Sequence, residues 1–293
     1  MGKVLIHVGL PKCASSFIQR RVLPNLDGVT QLGVGVRNES NILVRGIANY
    51  EQINWKYEKL AILRFFSAYK NQNIAVSNEQ FAGGTYHTGK STDRETIALR
   101  LQNLFPQATV LMVIRNQYDF LRSVFVRELR GGRTSFRHLR NWMNAQIKGI
   151  EDARSSILYM PQYTRLFELY SEIWGKDNVI VLQLENLSKT LIPFLERSGY
   201  NSLTNPDFTI RTNSRANWLD ILNSKYRLGS SNPNGYVRKG ISIFADTAKR
   251  INVFSVNTRF SEEQINFIGD FYAEENRRLE LSAGLDLSGF GYP

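Results

Sequence analysis

The sequence predicts an α/β fold in which a central parallel β-sheet is flanked by helices. Strand-like runs alternate with amphipathic, helix-like segments along most of the chain. The strand-like runs are apolar throughout, which is typical of parallel strands because helices cover both faces of such a sheet. The 293 residues are enough to bury a large core. We expect a single domain over residues 1–293.

The first predicted element is a short buried strand, Val4–Val8, followed by a tight turn and a helix that begins near Ala14. Three further runs are typical of buried strands: residues 73–77, 108–114 and 178–184. Apolar residues at helical spacing predict four helices: residues 94–104, 118–129, 163–174 and 187–197.

The last third of the chain has a different composition. Residues 201–242 are rich in Asn, Ser, Gly and Pro and predict loops around a few short elements. The run Ser261-Glu262-Glu263-Gln264 predicts the N-cap and first turn of a closing helix that extends to Leu281.

The net charge of +11 favours polyanionic partners such as nucleotides, nucleic acid, anionic glycans or anionic lipid surfaces. The excess is uneven, since the segment from Arg115 to Arg140 holds seven Arg and one His against Asp119 and Glu128. Some of these Arg residues could lie on a solvated helix face, but their density suggests a groove for anions. No common nucleic-acid-binding motif is present, so no specific nucleic-acid partner is predicted.

No apolar run approaches the roughly 20 residues of a membrane span, and peripheral membrane contact stays open. The first apolar stretch is too short for a signal peptide, and the single cysteine, Cys13, fits a reducing compartment. We therefore expect a cytoplasmic protein. The three His residues are isolated and no Cys/His cluster occurs, so no metal site is predicted. Cys13 as a nucleophile is a minor hypothesis, because no His is near it in sequence.

The segment VGLPKCASSF, residues 8–17, combines a strand end, a turn of small residues and a helix start. Free backbone N–H groups and the positive end of a helix dipole favour an anion there, and Lys12 adds a full charge. An ordinary βα turn is the alternative interpretation. The segment is not a Walker A loop, because its Lys precedes the small residues instead of following a second Gly.

Three other segments carry candidate ligand-binding side chains. Glu79 follows the second predicted strand, and Arg115 ends the third, with Ser123 eight residues later. Arg and Ser at this spacing could grip one phosphate, the Arg through its planar fork. The segment YVRKGIS adds Arg238, Lys239 and Gly240. Ligands of parallel sheets bind beyond the carboxyl ends of the strands, where we expect Lys12, Glu79 and Arg115 to meet.

These motifs resemble the sulfotransferases that use 3′-phosphoadenosine 5′-phosphosulfate (PAPS), of the bacterial and glycan-directed type. GLPKCASS is similar to their 5′-phosphosulfate loop, Pro-Lys-x-Gly-Ser/Thr-Ser/Thr, and IRNQYDFLRS to their 3′-phosphate motif, Arg-Asn/Asp-Pro-x5-Ser. The closing segment FYAEENRRLELSAGLDLS is also similar. Ala14 replaces the usual loop Gly, Gln117 replaces the usual Pro, and Ile243 stands where soluble small-molecule enzymes keep a second Gly.

The resemblance implies a P-loop-like three-layer fold, PAPS as donor and 3′-phosphoadenosine 5′-phosphate (PAP) as product. It implies that the 5′-phosphate lies against the loop formed by Lys12, Cys13, Ala14, Ser15 and Ser16, with Lys12 bridging to the leaving oxygen. Arg115 and Ser123 would hold the 3′-phosphate. Arg238, Lys239 and Gly240 are further candidates for that contact.

The resemblance also implies a general base that takes the proton of the acceptor hydroxyl, and in this family the base is His or Glu. We favour Glu79, with His87 as the competing candidate; Glu79 as a helix cap is the structural alternative. The expected acceptor is a glycan, which could be anionic, or another sizeable metabolite with a hydroxyl group.

Two other functions compete with this one. A P-loop-like nucleotide-dependent kinase would need a Gly-Lys-Ser/Thr loop and a Mg-binding Asp after a strand, whereas the strand ends here offer Asn78, Arg115 and Glu185. A non-enzymatic binder of polyanions fits the net charge but leaves the pattern of Lys12, Arg115 and Ser123 unexplained.

Overall fold

The computed structural model describes residues 2–34, 36, 39–83, 93–131, 133–136, 138–151, 156–204, 206–208 and 258–293. In these residues the strands form one five-stranded, all-parallel sheet with the order β2-β3-β1-β4-β5. The strands are β1 Val4–Gly9, β2 Val29–Gly33, β3 Asn73–Asn78, β4 Thr109–Ile114 and β5 Val179–Gln183. The predicted α/β fold class, a parallel sheet flanked by helices, is confirmed.

The helices of the described residues are α1 Ser15–Phe17, α2 Glu39–Asn49, α3 Gln52–Ser67, α4 Arg94–Leu104, α5 Gln117–Arg130, α6 Leu139–Lys148, α7 Tyr163–Trp174, α8 Leu187–Arg197 and α9 Glu262–Ala283. The short α1 continues as a π-helix, Ile18–Val22, and a 3₁₀ turn, Leu23–Asn25. None of the helices in the described ranges is long and apolar enough to span a membrane.

The chain divides into two compact units. One unit contains residues 1–116, 160–212 and 272–293 and holds the whole sheet. The other contains residues 117–159 and 213–271 and holds α5, α6 and the first part of α9. Whether the two act as the single domain expected from the sequence stays a prediction.

The centre of the sheet is buried on both faces, mostly by apolar side chains, as is typical of parallel sheets. Leu5, Ile6 and Val8 of β1 are fully buried. Helix α4 packs against α2 and α7, α2 contacts β2 and β3, α7 contacts β4 and β5, and α8 packs on β5. The register pairs Gly9 with Val113, so β1 and β4 end at the same edge of the sheet.

Side-chain caps fix where two helices begin. Asp93 accepts a hydrogen bond from the Thr96 N–H at 2.7 Å and so caps α4. At α9, the Gln264 N–H donates to Ser261 Oγ at 3.3 Å and the Ser261 N–H donates to Gln264 Oε1 at 3.1 Å. This reciprocal pair is a capping box, and it confirms the predicted start of the closing helix.

Candidate active site

The loop after β1 has an unusual backbone. Lys12 and Ala14 both have positive φ, 68° and 61°, whereas Cys13 between them does not. The left-handed conformation costs an L-residue roughly 1–2 kcal/mol, and Gly usually occupies such positions. A backbone whose φ alternates in sign is typical of nests, in which successive N–H groups converge on an anion. Position 14, where the 5′-phosphosulfate loop motif has Gly, therefore needs positive φ. In this chain Ala14 occupies it.

Hydrogen bonds to one carbonyl group close this loop. The Leu10 carbonyl oxygen accepts from the Cys13 N–H at 3.3 Å and from the Ser15 hydroxyl at 2.9 Å. Ser15 is buried and Ser16 is half-buried. Ser15 thus braces the loop from inside, and Ser16 is the more accessible hydroxyl of the pair.

The side chain of Cys13 is completely buried beneath the loop. Burial raises the pKa of the Cys13 thiol; the charge of Arg115 opposes this, and those of Glu185 and Glu79 add to it. The thiol is therefore neutral at physiological pH, which disfavours the hypothesis that it is a nucleophile. All three charges act on the Cys13 thiol. Glu79, Arg115 and Glu185 therefore lie around the same loop.

Arg115 follows the last residue of β4 and lies against the loop. Its Nη1 donates to the Lys12 carbonyl oxygen at 3.3 Å, and the side chain is half-buried. The structure thus brings together the two predicted cation-bearing segments, one after β1 and one after β4.

Glu79 begins a short 3₁₀ turn, Glu79–Ala82, directly after β3. The cap of this turn is Asn78, whose Oδ1 accepts from the Gln80 N–H at 3.0 Å. Glu79 is half-buried and is not the capping residue. Asn78, and not Glu79, is therefore the N-cap of this turn.

A buried polar cluster lies under the loop. His7 Nδ1 is 2.8 Å from Ser77 Oγ, which also accepts from Gln19 Nε2 at 3.0 Å. A Cβ added at Gly9 would lie 2.7 Å from Ser15 Oγ and 3.1 Å from His7 Cε1, so only Gly fits between them. Burial lowers the pKa of His7 to about 3, and the imidazole is neutral at pH 7.

Ser123 lies on α5, in the second compact unit, and is half-buried. Within that unit, Arg122 pairs with Asp119 at 2.9 Å and lies over the ring of Phe260. Some of the predicted basic segment therefore has local partners instead of facing a ligand. His87, Arg238, Lys239 and Gly240 lie outside the described residues.

Sequence reasoning did not single out Tyr163 and Tyr292, and it noted Glu185 only as a strand-end residue. The Tyr163 hydroxyl donates to the Arg115 carbonyl oxygen at 2.6 Å, and Glu185 accepts from the Asn116 N–H at 2.9 Å. The Tyr292 hydroxyl donates to the other Glu185 oxygen at 2.8 Å. Their positions in the sequence could have indicated the contact between Glu185 and Asn116, because Glu185 follows β5 as Asn116 follows β4.

In the described part of the chain, no three His, Cys, Asp or Glu residues are grouped so that they could hold a metal ion. Backbone N–H groups and cationic side chains both bind phosphates. The loop, Lys12 and Arg115 supply both kinds of group.

No family model and no curated protein sequence matches the chain. Among solved structures, the chain is similar to a sulfotransferase from Alicyclobacillus acidocaldarius, at 14% identity and a TM-score of 0.57, covering 99% of this chain and 98% of that one. It also matches mouse sulfotransferase SULT7A1 complexed with PAP, at 14% identity and a TM-score of 0.44, covering 96% and 86%. The first likeness shows that the chain shares the fold of a sulfotransferase.

Proposed function

We propose that this protein transfers a sulfuryl group from PAPS to a hydroxyl of an acceptor, a glycan or another sizeable metabolite. The observation that carries the proposal is the loop after β1, whose φ alternates in sign from Lys12 to Ala14 and whose backbone is joined to Arg115. A nest beside two cations suits a ligand with several phosphate charges. The fold that the chain shares with a sulfotransferase is consistent with this chemistry.

In this proposal the loop holds the 5′-phosphate through the N–H groups of residues 12–16 and the Ser16 hydroxyl. Ser15 acts mainly as an internal brace, since its hydroxyl donates to the Leu10 carbonyl. Bound PAPS would supply the sulfuryl group, and PAP would be the product. Lys12 neutralises the negative charge that develops on the leaving phosphate oxygen, which is the kind of stabilisation that lowers the barrier.

Arg115 and Ser123 are proposed to hold the 3′-phosphate, with Arg238, Lys239 and Gly240 as further contacts. What supports the pair is the eight-residue spacing in sequence and the half-buried position of Arg115 beside the loop. Glu79 is the proposed general base, because it follows β3 and its charge acts on the loop cysteine. His87 remains the competing candidate.

The structure favours this proposal over a kinase. The strand ends carry Asn78, Arg115 and Glu185 and offer no Asp for a magnesium ion, and the loop lacks Gly-Lys-Ser/Thr. In this proposal the protein binds its nucleotide without a divalent metal, whereas a kinase binds its nucleotide with Mg²⁺.

Calorimetric titration with PAP, ADP and ADP with Mg²⁺ tests the proposal. We expect PAP to bind far more tightly than ADP, with no effect of EDTA. Replacing Arg115 with alanine should weaken PAP binding roughly 10- to 100-fold, since a charge-assisted hydrogen bond contributes about 1.5–3 kcal/mol. Replacing the exposed Arg197 of α8 removes the same charge elsewhere and should leave the affinity unchanged. Equal affinity for PAP and ADP would contradict the proposal.

A further inference from the structure

The peptide group between Arg115 and Asn116 has both of its polar atoms held by side chains from other elements. Tyr163, the first residue of α7, donates to its carbonyl oxygen at 2.6 Å. Its N–H, which belongs to Asn116, donates to Glu185 Oε1 at 2.9 Å. A peptide group bound at both ends cannot rotate without breaking at least one hydrogen bond. The backbone that carries the Arg115 side chain is therefore fixed before any ligand binds.

Glu185 is itself fixed by the segment at residues 286–292. The Tyr292 hydroxyl donates to Glu185 Oε2 at 2.8 Å, and Tyr292 is buried. Burial raises the pKa of Tyr292, and the neighbouring Glu185 carboxylate raises it further. The phenol therefore keeps its proton and remains a donor. Both carboxylate oxygens of Glu185 are thus occupied, one by the backbone of the turn and one by Tyr292.

Strand pairing explains why Glu185 reaches this peptide. Ile114 pairs with Gln183 at the end of the β4–β5 register, so Asn116 and Glu185 each lie two residues beyond a paired position. Gln183 Nε2 donates to the Asp286 carbonyl at 2.6 Å. The Asn116 side-chain amide donates to the carbonyl oxygens of residues 290 and 291. The segment at 286–292 therefore contacts the end of β5 through Gln183 and the turn after β4 through Asn116.

We propose that Glu185, supported by Tyr292, is a positioning residue that fixes the Arg115–Asn116 peptide and so prepares the Arg115 guanidinium for a 3′-phosphate. This inference rests on the proposed function and deepens it. The sign of the effect distinguishes the role from a purely electrostatic one. A carboxylate beside an anion site repels the anion, so removing a charge that acted only through space would tighten binding. Removing a positioning residue weakens it.

The test is calorimetric titration of the full chain with PAP and with AMP, which differs from PAP only by lacking the 3′-phosphate. We expect Glu185→Ala to weaken PAP binding about tenfold, corresponding to about 1.4 kcal/mol, and to change AMP binding less than about twofold. Glu185→Gln should restore most of the affinity, because its amide oxygen can accept from Asn116 and its amide nitrogen can donate to Tyr292. Glu172→Ala, at an exposed position of α7, is the charge-matched control and should behave as wild type.

A double-mutant cycle separates positioning from general damage to the fold. In the Arg115→Ala background, Glu185→Ala should have no further effect on PAP affinity, because the side chain that it positions is gone. Tyr292→Phe removes only the supporting hydroxyl and should also weaken PAP binding. This variant provides the test if Glu185→Ala does not fold.

Unchanged or tighter PAP binding by Glu185→Ala, an equal loss for AMP, or an undiminished effect without Arg115 would each overturn the inference. A wild-type protein that binds AMP as tightly as PAP would instead overturn the proposed function on which it rests.

Discussion

Ala14 is held in a conformation that costs an L-residue free energy, and replacing it with glycine measures that cost. Its φ of 61° and ψ of 13° are left-handed, which is worth roughly 1–2 kcal/mol of strain. In an ordinary helix, Ala→Gly destabilises by about 1 kcal/mol because glycine loses more backbone freedom on folding. This cost of glycine's backbone freedom applies both to Ala14→Gly and to an Ala→Gly control inside a helix. The difference between Ala14→Gly and a helical control therefore isolates the strain.

The control is Ala61→Gly, at an exposed position inside α3. We expect Ala61→Gly to lower the free energy of unfolding by about 1 kcal/mol. Ala14→Gly should leave it unchanged or raise it by up to about 1 kcal/mol, the sum of the loss and the relieved strain. Urea unfolding followed by tryptophan fluorescence gives both values. If the two variants lose the same stability, Ala14 is not strained and the alternating loop backbone is wrong.

The remaining predictions concern chemistry and pH. Lys12→Ala should lower kcat more than PAP affinity, because its charge is needed most as the leaving group develops, whereas Arg115→Ala should mainly weaken binding; single-turnover transfer and calorimetry separate the two. Glu79→Gln should bind PAP normally and lose roughly 10²–10⁴-fold in turnover, with His87→Ala mild. Since the pKa of His7 falls to about 3 and only the unfolded chain takes up its proton below pH 6.5, stability should fall by about 1.4 kcal/mol per pH unit from 6.5 towards 3 because of this residue alone. His7→Asn should remove that part of the slope in unfolding measured at several pH values.

Contrary outcomes are distinct for each of these variants. An unchanged kcat in Lys12→Ala would remove its role at the leaving group. Wild-type transfer by Glu79→Gln together with an inactive His87→Ala would make His87 the base. An identical pH slope for His7→Asn and wild type would show that His7 has the same pKa in the folded and the unfolded chain.

Four of the strands were predictable because they are apolar runs buried on both faces. The edge strand β2 was not predicted. Its first residues, Val29, Thr30 and Gln31, are only half-buried, so the segment lacks the continuous apolar pattern of a central strand. Helix α3 was missed for a related reason. Ile53, Tyr57 and Leu60 are 63%, 73% and 64% exposed, so apolar residues on its outer face obscure the helical period.

For the site, the sequence was enough to locate the loop and Arg115, because strand ends of a parallel sheet meet at one edge. It could not predict the left-handed backbone at Ala14, since alanine rarely adopts it. Nor could it assemble Tyr163, Glu185 and Tyr292. Tyr163 and Glu185 contact the Arg115–Asn116 peptide across 48 and 69 residues of sequence. Tyr292 contacts Glu185 across 107 residues.

The loop after β1 and the Arg115–Asn116 peptide are both held in place by contacts within the protein. The strain at Lys12 and Ala14 is offset by local contacts: the fully buried Cys13 side chain and the hydrogen bonds to the Leu10 carbonyl. The two cation-bearing segments then meet directly, because Arg115 Nη1 donates to the Lys12 carbonyl. Groups fixed in this way lose little conformational freedom when an anion binds, which is the condition for strong electrostatic stabilisation. Because the Arg115 side chain holds the Lys12 carbonyl, removing it also disturbs the backbone that carries Lys12. The combined effect of the two substitutions on transfer should therefore be smaller than the sum of the two single effects.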